Sequence, residues 1–336
     1  MKIRTWLKLA SVVGTGLIVR NILRNRRMID VAGTVVVITG GSRGLGLVLA
    51  RTLIEHGARV AICARDADEL GRARQELEQL GGEVFSAQCD VTDRDDVLRF
   101  MASVEDDFGP IDILINNAGV IQVGPVEHMT ADDFEHALSV NLRGPLHAML
   151  AVLPAMRRRK AGRIVNIASI GGKVAIPHLA PYSTSKFALV GLSEAMRAEL
   201  IKDGIYVTTV CPGLMRTGSP RHGLFKGNHQ AEYAWFTIGD SLSVTSISAE
   251  SAADQIIRGF ARGDAEVTIS PQARLASLVH GVAPGLVQEA LGVVARFMPG
   301  PTGSRTTVEG KDAESVFAPS VLTRQSDDAA RRNNEN

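Results

Sequence analysis

The sequence predicts an α/β protein whose doubly wound parallel sheet forms a single domain with extensions at both ends. Short runs of β-branched and apolar residues alternate with amphipathic helical stretches. That order calls for right-handed βαβ crossovers and a sheet covered on both faces. A chain of 336 residues that is 45% hydrophobic and only 4% aromatic can bury one large core of this kind.

Strands are expected near 34–39, 59–63, 83–88, 112–116, 163–168, 206–211 and 265–270, with helices between them. The first belongs to TVVVITGGSRGLGLVLARTLIEHGARV, in which Val35 to Thr39 run through Gly40, Gly41, Gly44 and Gly46 into an amphipathic helix. Glycines allow a tight turn and a close backbone approach to a pyrophosphate, and the helix start adds free N–H groups and a positive dipole end. The apolar run RIVNIAS ends at Ser169, and the next helix, PYSTSKFALVGLSEAMRAEL, carries Tyr182 and Lys186 four residues apart. That spacing puts the phenol and the ammonium one turn apart on one helix face. A phenol with a pKa of about 10 exchanges protons poorly near neutrality unless a cation stabilises the phenolate, and Lys186 is placed to do that.

These residues resemble the short-chain dehydrogenase/reductase family. Thr39 to Gly46 match its TGxxxGxG turn, Asn116 to Gly119 its NNAG, and Ser169 with Tyr182 and Lys186 its Ser...YxxxK site. Asn141 falls where the family keeps its catalytic asparagine, and Pro212, Gly213 and Thr217 match its PGxxxT segment. The resemblance runs from about residue 34 to 218. It implies a Rossmann-type sheet of order 3-2-1-4-5-6-7 and the catalytic set Asn141, Ser169, Tyr182 and Lys186. The cofactor contacts it implies are Gly40, Ser42, Arg43, Gly44, Leu45 and Gly46 in the turn, Asp90 and Val91 in CDVTD, and Asn117, Ala118 and Gly119. Tyr182, Lys186, Pro212, Gly213 and Thr217 complete that set.

The end of the second strand bears on the choice of cofactor. In ARVAICARD, Ala64 stands where an acidic residue would bind the ribose hydroxyls of NAD, Arg65 follows it, and Arg43 adds a second cation. Two guanidinium groups without a carboxylate at that place favour the 2′-phosphate of NADP over NAD, although Asp66 is able to turn inward. The expected reaction moves hydride between nicotinamide and a carbonyl carbon while Tyr182 supplies the proton, Ser169 holds the carbonyl oxygen and Lys186 lowers the tyrosine pKa and binds the nicotinamide ribose. By analogy with the family, Asn141 fixes a water that links the lysine to solvent.

The rest of the chain narrows the function class. A net charge of +1 and the lack of a base-reading module give no nucleic-acid partner. Cys63, Cys89 and Cys211 lack metal or redox spacing and read as buried, reduced thiols. The eight histidines show no ligand pattern, so no metal is expected. His178 lies just before Tyr182, where it either faces substrate or is structural. After Thr217 a long segment holds Tyr233, Trp235 and Phe236 and reads as a lid, which suggests a lipophilic carbonyl or alcohol such as a steroid, retinoid or fatty-acyl derivative.

The ends depart from a minimal catalytic domain, placed at 30–271. Residues 1–29 combine the apolar stretch Leu9 to Val19 with Trp6 and flanking Arg20, Arg24, Arg26 and Arg27. Eleven apolar residues are too few to span a bilayer, so the segment reads as an interfacial helix drawn to anionic lipid, with the domain cytoplasmic or on the cytoplasmic side of a membrane. Residues 272–298 read as two apolar helical pieces broken at Pro284, suited to cover a subunit neighbour, the cleft or a membrane. Residues 299–336 are polar and expected to be disordered. The expected protein is an NADP(H)-dependent oxidoreductase of carbonyls and secondary alcohols, homo-oligomeric, with peripheral membrane contact. The alternatives are a 3-oxoacyl thioester reductase and a non-catalytic NADP(H)-sensing scaffold.

Overall fold

The computed structural model describes residues 21–335 apart from 243–244, 302–303, 316–317 and 322. The interfacial reading of Leu9–Val19, Trp6 and Arg20 therefore lies outside the described residues. The chain proceeds through β1 (Val35–Thr39), α1 (Gly44–Glu55), β2 (Arg59–Ala64), α2 (Ala67–Gln79), β3 (Val84–Gln88) and α3 (Arg94–Phe108). There follow β4 (Ile113–Asn116), β5 (Gln122–Val123), α4 (Ala131–Leu138), α5 (Gly144–Arg159), β6 (Gly162–Ile167) and α6 (Ala180–Leu200). Then come β7 (Ile205–Pro212), β8 (Leu214–Arg216), β9 (Leu224–Phe225), α7 (His229–Ser241), β10 (Ser246–Ser248) and α8 (Ala249–Ala261). The last elements are β11 (Glu266–Ile269), α9 (Pro271–Val282), α10 (Pro284–Ala295), β12 (Val308–Glu309) and α11 (Arg324–Arg332).

Seven parallel strands make the central sheet in the order β11-β7-β6-β4-β1-β2-β3, which is the expected order. Successive residues of β1 divide between the two faces. Val36 and Ile38 pack with Leu47, Leu53, Ile256 and Phe260 beneath α1 and α8, whereas Val35 and Val37 pack with Phe100, Met149 and Val152 beneath α3 and α5. This is the period-two pattern of a strand buried on both sides. Because β1 lies between β2 and β4, the chain order reverses there, and a crevice opens at the carboxyl ends of β1 and β4.

Local chemistry fixes the helix starts. Asp66 accepts the Glu69 N–H at 2.8 Å and opens α2, Asp93 does the same for α3, and Thr130 with Asp133 forms a capping box on α4. Helix α1 begins after Arg43 without any side-chain cap, and its Gly44 N–H bonds the Asn333 carbonyl. Between α4 and α5 the backbone widens into a single π turn, Ser139–Arg143, which carries Asn141 inward.

The two ends of the chain differ from expectation. The described residues from Pro299 onward do not form the expected disordered tail: β12 pairs with β9, and α11 buries Ala329 and Ala330. Its hold on the domain is mostly polar, which composition does not reveal. At the other end residues 21–27 are helical and engage the domain. Arg24 pairs with Asp264, Arg27 stands over the Tyr206 ring, and the Arg27 carbonyl accepts a hydrogen bond from the buried guanidinium of Arg163. Two of the arginines assigned to lipid thus serve the fold. Helices α9 and α10 meet at Ala283 and Pro284, and Leu275, Leu278, Val282 and Leu286 on them and Phe297 just beyond are exposed, none of them in the crevice. No helix among the described residues is long and apolar enough to cross a membrane.

Candidate active site

The crevice is a cleft of about 800 Å³, within the range of roughly 300–1,000 Å³ typical of cofactor and ligand sites. Its floor is the glycine turn. Gly40 and Gly44 have positive φ, and a Cβ on Gly40 would lie 2.8 Å from the Ala118 Cα, so only glycine lets the two loops meet. Gly46 is different: it lines no part of the cleft. A Cβ there would stand 2.1 Å from the Gly40 carbonyl oxygen, which makes it the residue that lets α1 pack on the turn. Asn117 ties the same turn to β4 by donating Nδ2 to the Gly40 carbonyl at 2.8 Å.

The other residues assigned to the cofactor line the cleft: Ser42, Arg43, Gly44 and Leu45 at the turn, Arg65, Asp90 and Val91 at the ends of β2 and β3, and Asn117, Ala118 and Gly119 after β4. Pro212, Gly213 and Thr217 form the opposite lip. The two cations are not equivalent. Arg43 donates to Glu69 at 2.8 Å and lies 3.6 Å from Glu335, so carboxylates already match its charge. Arg65 is exposed at the rim and makes no ion pair among the described residues. Asp66 spends its carboxylate on the start of α2, which also holds its pKa below the usual range.

Ser169, Tyr182 and Lys186 share the wall formed by β6 and α6. The Ser169 oxygen accepts the Gly171 N–H at 3.0 Å, which leaves its own proton to be given elsewhere. Burial raises the Tyr182 pKa, and the interaction with the Ser169 hydroxyl pulls the other way. Lys186 is buried, donates Nζ to the Ile167 carbonyl at 2.8 Å, and has its pKa pushed down to about 8 by desolvation. Asn141 is wholly buried behind the wall rather than on it: it accepts the Val120 N–H at 2.9 Å and donates to Val120 O at 3.0 Å and Ser185 Oγ at 2.9 Å. A Cβ on Gly119 would fall 3.1 Å from its Oδ1 and 3.5 Å from Lys186 Nζ, so the amide and the ammonium both approach Gly119.

The lid is ordered around α7. Of its three aromatics only Phe236 lines the cleft; Tyr233 packs edge-on against Phe225 at 5.4 Å, and Trp235 donates to Glu232 at 2.6 Å. His178 does not reach the cleft. Its Nδ1 lies 2.8 Å from the buried Glu232 carboxylate, which pins the loop before Tyr182 to α7. The three cysteines are free and buried. No cluster of metal-ligating residues occurs among the described residues. Sequence reasoning missed the groups that the lid and the tail bring to the cleft, namely His222, Asp240, Glu309, Lys311 and Glu335.

A family model described as short chain dehydrogenase matches residues 34–222, more than half of the chain. A dehydrogenase/reductase SDR family protein 7-like from Anopheles gambiae is 35% identical over 269 residues, which cover 78% of this chain and 83% of that relative. Among solved structures, a short-chain dehydrogenase from Streptomyces avermitilis superposes with a TM-score of 0.69 at 26% identity, over 80% of this chain and 99% of that one. An actinorhodin polyketide ketoreductase with NADPH, carrying a phenylalanine-to-tryptophan change, superposes with a TM-score of 0.64 at 32% identity, over 72% and 97% of the respective chains.

Proposed function

The chain belongs to the short-chain dehydrogenase family and is an NAD(P)-dependent oxidoreductase, and from that premise we propose that it interconverts a lipophilic carbonyl and its secondary alcohol with NADP(H). The observation that carries this reading is the single cleft that begins at the glycine turn and ends at Ser169 and Tyr182. The cradle would suit a dinucleotide: the start of α1 has no side-chain cap, although its Gly44 N–H bonds the Asn333 carbonyl, and Arg65, exposed at the rim, would be free to hold a 2′-phosphate. When bound, the nicotinamide supplies or accepts the hydride.

The chain's own residues do the rest. In reduction, the Ser169 hydroxyl donates to the carbonyl oxygen, and the Tyr182 phenol gives its proton to that oxygen as negative charge develops. Lys186 presents a buried cation one turn away and a donor for the nicotinamide ribose. Asn141, near Lys186 across Gly119, would hold a water through which the tyrosine proton is replaced. Ile121, Ile176, Leu179, Leu214 and Phe236 line the cleft and supply an apolar surface for the substrate.

A panel of steroids, retinoids, acyl thioesters and simple ketones, followed by loss of NADPH absorbance, tests the reading. Turnover of hydrophobic ketones supports it. Turnover confined to acyl thioesters would favour the 3-oxoacyl thioester reductase, a reading supported by the likeness to the polyketide ketoreductase. Binding of NADPH without turnover of any class would favour a sensing scaffold. Association with a membrane through residues 1–29 and self-association belong to the same proposal, with the exposed apolar face of α9 and α10 as their support.

A further inference from the structure

We propose that the segment Arg332–Glu335 is part of the dinucleotide site, forming an outer wall over the glycine turn in which Glu335 and His222 meet the diphosphate and ribose portion of the ligand. This rests on the reading of the cleft as a dinucleotide site. The segment is fastened to that site by its polar groups. The Asn333 carbonyl accepts the Gly44 N–H at 2.9 Å, and Asn333 Nδ2 donates to the Thr217 carbonyl at 3.2 Å. Asn334 Nδ2 donates to the carbonyls of Ser42 at 2.9 Å and Glu69 at 3.0 Å. One short stretch therefore bridges both lips of the cleft.

Glu335 then turns its carboxylate onto Gly44: a Cβ on that glycine would stand 2.4 Å from Oε1. Glu335 is only 3% exposed, lines the cleft, and its Oε2 has no hydrogen-bond partner. His222 completes the arrangement. Arg43 Nη1, which can only donate, lies 3.1 Å from His222 Nδ1, so that nitrogen accepts and Nε2 carries the proton. The Nε2–H also lacks a hydrogen-bond partner and sits 3.4 Å from Glu335 Oε2, out of line for a bond. A buried donor and a buried acceptor, side by side on a cleft wall and both without a hydrogen-bond partner, with Arg43 Nε 3.6 Å from the carboxylate, suit a ligand segment that carries phosphate oxygens next to ribose hydroxyls. Burial pushes the Glu335 carboxyl up to about 7, against the pull of the neighbouring Arg43 guanidinium. With the segment docked the cleft as a whole still measures about 800 Å³.

The test compares the full chain with a deletion of residues 333–336 and with Glu335→Ala and His222→Ala. NADPH and NADH binding is read by fluorescence titration, and release by stopped flow. The deletion should weaken binding and speed release by roughly tenfold, with most of the change in the release rate; each point variant should move both the same way. Unchanged constants would overturn the proposal, as would tighter binding by the deletion, the mark of a plug. If the deletion fails to fold, Glu335→Ala decides, since it removes no backbone contact. By reciprocity, saturating NADPH should slow carboxypeptidase trimming of the full chain, and absence of protection would also overturn the wall. Binding of neither dinucleotide by the full chain would remove the reading of the cleft and the proposal with it; equal binding by all variants would remove the proposal alone.

Discussion

Lys186 holds its Nζ 5.7 Å from the centre of the Tyr182 ring, one helical turn along α6. The ammonium approaches the ring while it bonds the Ile167 carbonyl, so the charge is fixed in place by the strand rather than left to the solvent. Phenol and cation are thus held in a fixed relation, and removing either should have a distinct signature.

Tyr182→Phe keeps the ring and removes the proton. Turnover should fall by roughly the 10²–10⁴ that general acid catalysis supplies, with dinucleotide binding nearly unchanged. Lys186→Ala should lower both turnover and binding. A Phe variant with wild-type kcat would refute the role given to Tyr182.

The lysine also sets a pH limit. Its pKa is pushed down to about 8 by burial, so its charge is present below that pH and disappears above it. Reductive kcat/KM should be level up to about pH 8 and decline beyond. A profile that stays level to pH 10 would show that the lysine charge is not needed in the free enzyme.

Cofactor preference should reside in Arg65, because Arg43 is already matched by Glu69. Arg65→Ala should weaken NADPH binding roughly 10–100-fold, the worth of a charge-assisted hydrogen bond, and leave NADH binding little altered. Equal losses for the two cofactors would make Arg65 a structural residue.

A second titration lies under the tail. Asp240 is buried against α11, accepts the Ser326 hydroxyl at 2.9 Å, and has its carboxyl pushed up to about 7, chiefly by burial. The folded state thus holds this proton more tightly than an unfolded carboxyl of pKa about 3.9 does. Its stabilising contribution is complete below about pH 4 and is lost as the pH rises through about 7. Thermal unfolding from pH 5 to 8 should show wild-type Tm falling more steeply than that of Asp240→Asn, and parallel curves would contradict the assignment.

At the other end, deleting residues 1–20 and 1–29 should have different effects. The longer cut removes the Arg27 carbonyl and the Arg24 guanidinium, leaving Arg163 and Asp264 without those partners. Each buried group so stranded costs about 1–3 kcal/mol, which should appear as a lower Tm for the longer cut alone. If the membrane reading holds, the full chain should sediment with anionic liposomes less strongly at high salt, and the shorter deletion should stay in the supernatant.

The sheet was legible because Val35–Thr39, Ile113–Asn116 and Ile205–Pro212 are runs of β-branched and apolar residues closed by glycine, asparagine or proline, which few other structures accommodate. The spacing of Ser169, Tyr182 and Lys186 was equally plain, since a helix turns short spacing into proximity. The tail was not. Polar composition argues for disorder when burial must come from apolar area, yet here Ala330 presses against Gly218, where a Cβ would come within 2.4 Å of its Cα, and Asn333 and Asn334 satisfy backbone groups of the glycine turn. A pair such as His178 and Glu232, 54 residues apart, likewise leaves no periodic trace.

The bond from Asn334 to the Ser42 carbonyl joins residues 292 positions apart. Closing so long a loop costs entropy that grows by only about 0.6 kcal/mol per doubling, so the docked state is thermodynamically accessible, but few contacts of its own can form before the sheet exists. The glycine turn should therefore acquire its native backbone early in folding and its outer covering late. Hydrogen exchange should accordingly find the amides of α11 opening well before those of β1, a subglobal opening in a protein whose core remains closed.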